Sequence, residues 1–251
     1  MIENYYNELA SYFKYIHQDW EASVKRQAVI LDSVIREFFD QQVRHVLDAA
    51  CGIGTQSLGL AQLGYTVSAS DISSAEIDLA RKEAEKRGLS IDFTLGDMRQ
   101  LAKTHCGPFD LVIACDNAIP HLLTDEEIRR AFEQFYQCTT AAGGCIISVR
   151  DYANIERGGK RLYPRTTHDT PDGRVLLFDL WEFEGNFHDF TTYIVEDKGQ
   201  LTARTLVIRG GRYYCVAIAT LEMLLTLAGF RKVVTLRDRF YQPLIVATKT
   251  Q

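Results

Sequence analysis

The chain has 251 residues, with 28 Lys and Arg against 33 Asp and Glu, a net charge of −5, and 46% hydrophobic residues. That length suits one enlarged domain, and the apolar content with only 5 prolines excludes a disordered chain. Its acidity, with no basic run longer than a pair, argues against nucleic acid as a partner. No apolar run approaches the ~20 residues that span a bilayer, and the polar start MIENYYNEL lacks a signal-peptide pattern. These features predict a cytoplasmic protein with a small-molecule or protein partner and no membrane partner. The six cysteines (Cys51, Cys106, Cys115, Cys138, Cys145, Cys215) form no C-x-x-C and the six histidines no paired spacing, so buried small hydrophobes and no protein-bound metal are expected.

Apolar positions at helical spacing (Val24, Ala28, Leu31, Val34, Ile35, Phe38) predict an amphipathic helix over ~21–40. The apolar run at 43–50 then leads into Gly52 and Gly54 and a helix-like stretch to Leu63, so a strand, a glycine turn and a helix follow one another. Residues 65–71 read as a strand, 73–88 as a helix capped by Ser73 or Ser74 and ended by Gly88, and 91–97 as a third strand. Further buried strands are expected at 109–116 and 144–152, separated by a helix around 125–140. This alternation specifies a parallel sheet covered on both faces. After Tyr152 the runs at 174–183, 187–195 and 200–209 are antiparallel strands separated by turn signals. A helix at 219–230 and two closely spaced strands, an antiparallel hairpin at the sheet edge, complete the chain. The expected fold is α/β: a Rossmann-like, mostly parallel seven-stranded sheet with an antiparallel terminal hairpin strand and a small antiparallel β lid. The expected organisation is N-terminal helices and a cofactor-binding core over 1–150, a lid over 151–214, and a return to the core over 215–251.

The informative string is VLDAACGIGTQSLGLAQLGYTVSASDIS. Its Gly-x-Gly turn lets backbone approach a ligand closely, and Asp71, about 20 residues on, is placed for a ribose hydroxyl pair. A dinucleotide site would have a third glycine where Ser57 stands and gives no reason for an acid at Asp48. A ligand bearing an ammonium does give one.

LDAACGIGTQS, ASDIS and LGDMR together resemble the nucleotide-binding half of class I S-adenosylmethionine-dependent methyltransferases over ~43–150. The resemblance implies S-adenosyl-L-methionine as cofactor, with S-adenosyl-L-homocysteine as product. It places the loop of Ala50, Gly52 and Gly54 on the methionine moiety, Asp71 beside Ile72 on the ribose, and Asp97 and Met98 after Gly96 at the adenine. An N-cap remains the alternative role of Asp97. ACDNAIPHL and ISVRDYANI are similar to motifs of glycine N-methyltransferase and related amine N-methyltransferases. That similarity implies a reacting centre framed by Asn117, His121, Arg150 and Tyr152, with Cys115, Asp116 and His121 also beside the cofactor. Asp116 stands where that group usually has Gly, Asp151 where it usually has Asn, and Pro120 interrupts the first motif. Arg26 falls where the group has a cofactor-binding Arg. The tyrosine pair Tyr213 and Tyr214 resembles the end of the lid.

Methyl transfer from a sulfonium asks mainly for positioning, which supplies roughly 7–11 kcal/mol of the barrier. Tyrosine faces suit cationic groups; Tyr152, Tyr163, Tyr213 and Tyr214 are candidates on the lid side, with Tyr12 and Tyr15 from the N-terminal segment. Arg150 either holds a substrate carboxylate in a two-pronged grip or pairs with Asp151 or Asp116. His121 is either a base or, by preference, an orienting group or cap. The expected activity is N-methylation of a small amine, an amino acid (glycine- or sarcosine-like) or an amino sugar. The alternatives are O-methylation, a non-catalytic sensor of the same cofactor, and a nicotinamide-dependent oxidoreductase, which the absence of a Tyr-x-x-x-Lys pair disfavours.

Overall fold

The computed structural model describes residues 2–39, 43–105 and 107–250, which leaves Cys106 outside the described residues. In chain order the first half contains α1 (Ile2–Leu9), α2 (Trp20–Phe38), β1 (His45–Asp48), α3 (Thr55–Gln62), β2 (Thr66–Asp71), α4 (Ser74–Lys86) and β3 (Asp92–Leu95). Next come α5 (Leu101–Thr104), β4 (Phe109–Ala114), α6 (Asp125–Cys138) and β5 (Thr139–Ser148). Four long strands follow, β6 (Lys160–Thr170), β7 (Gly173–Glu184), β8 (Phe187–Asp197) and β9 (Arg204–Tyr214). The chain closes with α7 (Ile218–Leu227), β10 (Lys232–Leu236) and β11 (Leu244–Thr248).

Seven strands form one sheet in the order β10-β11-β5-β4-β1-β2-β3. β1 to β5 pair in parallel, while β11 lies antiparallel between β5 and β10, so the final hairpin puts β10 at the edge. The strands are apolar on both sides because both sides are covered. Leu47, Val112 and Ile147 pack with α6 and α7, whereas Val46, Leu111, Ile113 and Ile146 pack with Leu31, Val34 and Ile35 of α2. Ser73 caps α4 by accepting from the Glu76 amide, as its sequence predicts.

β6 to β9 form a separate four-stranded antiparallel sheet. Alternate residues of β7 and β8 (Val175, Leu177, Asp179, Trp181; His188, Phe190, Thr192, Ile194) turn to a buried face. That face is filled by Tyr5 and Leu9 of α1 and by Tyr152, so the N-terminal segment joins the two sheets. β6 is absent from the sequence expectation for a physical reason. It is an edge strand without a fully buried residue, and Pro164 sits at a register shift, so it carries no alternating apolar pattern. The five described cysteines are free and buried. Among the described residues, no helix is long and apolar enough to cross a membrane.

Candidate active site

Parallel α/β sheets bind ligands beyond the carboxyl ends of their strands, and here the turns after β1, β2 and β4 meet in one cleft. Gly52 (φ 53°) and Gly54 (φ 90°) take left-handed conformations that glycine adopts without strain. The Gly52 amide donates to Asp71 Oδ2 at 2.8 Å and the Ser73 amide to Asp71 Oδ1 at 2.9 Å, so one carboxylate ties the glycine loop to the start of α4. Burial raises the Asp71 pKa against these backbone donors.

Of the residues expected at the cofactor, Ala50, Gly52, Asp71, Ile72, Met98, Cys115, Asp116 and His121 line this cleft. Asp97 and Met98 line an adjoining cavity of 520 Å³ that shares Ala50, Ile72 and His121 with it. Asp97 caps the turn after β3 through the Arg99 amide, and its carboxylate is clasped by the Arg99 guanidinium. Burial pulls the Asp97 pKa up, but the Arg99 bonds outweigh it and leave the carboxyl below its ordinary range.

Tyr12, Arg26, Asp48, Gly54 and Gly96 are not brought into the cleft. Tyr12 donates to Glu196 of β8 at 2.6 Å. Arg26 is exposed on α2 and bonds Ser23. Asp48 is wholly buried and accepts from Ser57 at 2.7 Å, with its pKa raised to about 7 by burial against that bond. Gly54 caps α3, and the Gly96 amide donates to the Asp71 carbonyl.

Sequence reasoning missed Ile2, Tyr6, Phe13, Gln56 and Glu76 in the cleft wall. Ile2, Tyr5, Tyr6 and Leu9 stand at i, i+3, i+4 and i+7, a spacing that marks the inward face of α1. Glu76 is hidden in the sequence by a capping-box pattern, Ser73-x-x-Glu76, in which the acid would turn back to the cap amide. Asp71 takes that amide instead, leaving Glu76 Oε1 buried without a partner and its pKa raised well above the carboxylate range, by burial and then by Asp71. Among the described residues, no Lys or Arg lines this inner cleft, whereas Asp71, Glu76 and Asp116 do.

A cavity of 220 Å³ adjoins the cleft, sharing Tyr6, Phe13 and Asp116 with it. Asp116 (φ 56°) and Asn117 (φ 67°) are consecutive left-handed residues other than glycine, a strained turn of the kind found at functional sites. Asn117 fastens that turn: its Nδ2 donates to the Tyr152 hydroxyl at 2.8 Å and its Oδ1 accepts from the Arg150 amide at 2.9 Å. Both ends of the amide are thereby used. Asp116 Oδ2 accepts from Gln56, while Oδ1 has no partner. Burial lifts the Asp116 carboxyl to about 6, opposed by Gln56 and Arg150.

Arg150 lines the 220 Å³ cavity, its guanidinium 5.3 Å from the Trp181 ring centre and 5.4 Å from that of Tyr213. The alternative pairing with Asp151 or Asp116 is not formed: Asp151 pairs with Arg237, Asp116 bonds Gln56, and Arg150 Nη1 is buried without a partner. His121 spends both ring nitrogens, Nδ1 on the Arg212 carbonyl at 3.0 Å and Nε2 on the Tyr6 hydroxyl at 2.6 Å. Because a carbonyl only accepts, Nδ1 carries the proton and Nε2 accepts from Tyr6. Burial holds this imidazole neutral, with its pKa lowered to about 4. Tyr213 stacks on His121 at 4.3 Å. Tyr163 is partly exposed and stacks on Trp181 at 4.1 Å, at the mouth of a 910 Å³ opening that Arg150 also lines. Tyr214 turns the other way, to the core beside α6 and α7.

Residues 46–143 match the methyltransferase domain family. The chain is 26% identical over 190 residues to a glycine/sarcosine N-methyltransferase of Halorhodospira halochloris, covering 70% of this chain and 66% of that protein. It is 31% identical over 135 residues to a ubiquinone biosynthesis O-methyltransferase of Azoarcus sp., covering 50% and 56%. The chain thus spans between about half and two thirds of the length of these curated relatives. The fold is shared beyond the matched residues. An S-adenosylmethionine-bound amino pentose methyltransferase of Micromonospora echinaspora superposes with a TM-score of 0.78 at 17% identity, over 96% of this chain and 95% of that one. The matched residues include the glycine loop, Asp71, Asp116, Asn117 and His121, while Arg150, Tyr152 and the second sheet lie outside them.

Proposed function

We propose that the chain binds S-adenosylmethionine in the inner cleft and methylates the nitrogen of a small amine that also carries a carboxylate. The cofactor assignment is supported by the lining: among the described residues three acidic side chains and no basic one face the cleft, which suits a ligand bearing a sulfonium and an ammonium and leaves no cation to pair with the pyrophosphate of a dinucleotide. Asp71 and the Gly52 backbone stand where the ribose and methionine moieties would be held, and Met98 with Asp97 where the adenine would lie. Bound there, the cofactor supplies an electrophilic methyl group. This chain's residues orient the acceptor, exclude water with the Tyr6, Phe13 and Tyr213 rings, and hold the strained turn through Asn117.

The observation that carries the acceptor assignment is Arg150, which lines the adjoining cavity with its Nη1 buried and without a partner. An arginine in such a place lacks an anion, and its planar fork matches a carboxylate. The test has two parts. S-adenosylhomocysteine should raise Tm and NAD should not, since a ligand bound by the native state alone stabilises it. A panel of amines, amino acids, amino sugars and hydroxylated acceptors, read by mass, should then return N-methylated products bearing a carboxylate; O-methylated products alone would overturn the assignment.

A further inference from the structure

Two buried polar atoms without partners, of opposite charge, belong to residues lining the same 220 Å³ cavity: Asp116 Oδ1 and Arg150 Nη1. Their neighbours set a direction. Asp116 is shared with the inner cleft, whereas Arg150 is shared with the wide outer opening. We propose that Asp116 is the catalytic residue that anchors the acceptor's ammonium and takes its proton, with the acceptor lying nitrogen toward the cleft and carboxylate toward Arg150. This rests on the methyl-donor reading of the cleft.

The proton step balances within the pair. One N–H bond of the ammonium breaks, its electron pair stays on nitrogen, and the proton bonds to a carboxylate oxygen of Asp116, so an ion pair becomes a neutral amine and a neutral carboxyl. Water takes the proton when product leaves. Enclosure favours the exchange, because desolvation penalises both charged forms. The other titratable groups facing the cavity are Tyr6, Tyr5 and His17 from the N-terminal segment, Tyr213 from β9, Tyr241 from the turn before β11, and Arg150 and Arg165; Arg165 is already paired with Asp179 at 2.7 Å. Burial, first, holds His17 at about 4, with Arg165 and Arg26 acting in the same direction, so it is a neutral neighbour. Gln56 hands Asp116 one hydrogen bond and is itself tied to Gln27, which fixes the carboxylate's orientation.

The left-handed backbone supplies a clean variant. Asp116→Gly removes the carboxylate at a φ of 56° that glycine adopts without strain, so folding should be preserved, and Asp116→Asn keeps the shape. The assay uses protein saturated with S-adenosylhomocysteine and calorimetric titration with paired probes: glycine against acetate, alanine against propionate, phenylalanine against 3-phenylpropionate. Wild type should bind at least one amino acid at least tenfold more tightly than its deaminated partner. Both Asp116 variants should bring that preference to within about twofold while keeping the affinity for the acid, and His17→Gln should leave it intact. No preference in wild type, or a preference that survives in Asp116→Gly or is lost in His17→Gln, overturns the proposal. Failure of S-adenosylhomocysteine to shift Tm would instead strike the cofactor reading, which separates the two.

Discussion

The inner cleft and the cavity beside it differ in the sign of their charge. Among the described residues, the cleft is walled by Asp71, Glu76 and Asp116 without a basic side chain, and the cavity adds Arg150 and Arg165. They also differ in origin: the cleft wall comes largely from turns of the parallel sheet, the cavity from α1, the end of β5 and the antiparallel sheet. Under the proposed function, the contrast would draw a cationic group to one end and an anionic group to the other, with Asp116 at the boundary.

Four substitutions test whether the two regions are separable. The largest effect is expected from Asp179→Ala on the cavity side. Asp179 is fully buried and accepts from Arg165, Trp181 and Thr192, and its removal strands the largely buried Arg165 guanidinium. A loss of about 3–5 kcal/mol in denaturant unfolding is expected, while S-adenosylhomocysteine still raises the lowered Tm. Arg150→Ala comes next, with kcat/KM for a carboxylate-bearing acceptor falling roughly 30-fold to several thousand-fold, equivalent to about 2–5 kcal/mol. Calorimetric affinity for S-adenosylhomocysteine should hold within about twofold; an equal loss there would dissolve the distinction between the regions. Asp71→Ala should do the converse. It frees the glycine loop and weakens S-adenosylhomocysteine about 10- to 100-fold, on the scale of about 1.5–3 kcal/mol for hydrogen bonds to a charged group.

The smallest effect concerns pH. His188 is buried among Trp181, Phe183 and Phe190, and neither ring nitrogen has a partner. Burial, followed by Arg150, lowers its pKa to about 4. Between that value and the ordinary value near 6.5 the unfolded chain binds the proton and the folded chain does not, so this group's stability contribution falls as pH drops through that window. At pH 5 the loss is about 2 kcal/mol. His188→Phe should therefore raise Tm more at pH 5 than at pH 7.5, and a uniform rise across pH would show that the residue does not titrate in this window.

Much of the cleft was legible in the sequence because its parts are local. A strand end, Gly52, Gly54 and Asp71 lie within one strand-turn-helix-strand unit, where backbone conformation is dictated by neighbours in the chain. Asp116 illustrates the next level. Its place where glycine is usual was visible, but only the φ of 56° explains why glycine suits that position. Tyr12 and Tyr214 mark the limit. An aromatic composition does not say which way a ring points, and Tyr12 turns to Glu196 while Tyr214 turns to the core. β6 escaped notice because an edge strand with Pro164 that pairs with β7 alone needs no alternating pattern.

The sequence by itself determined the order of strands and helices in the parallel sheet, the glycine turn and the acids at the strand ends, because these follow from periodicity and from short-range backbone sterics. The tertiary structure decided which charges are left without partners. Whether Arg150 pairs with Asp151 or Asp116, whether His121 keeps a free nitrogen and whether Glu76 folds back onto its helix all depend on groups far along the chain, Arg237, Arg212, Tyr6 and Asp71 among them. Partner choice in a buried site is a competition settled by distance and desolvation, and neither is written in the spacing of residues.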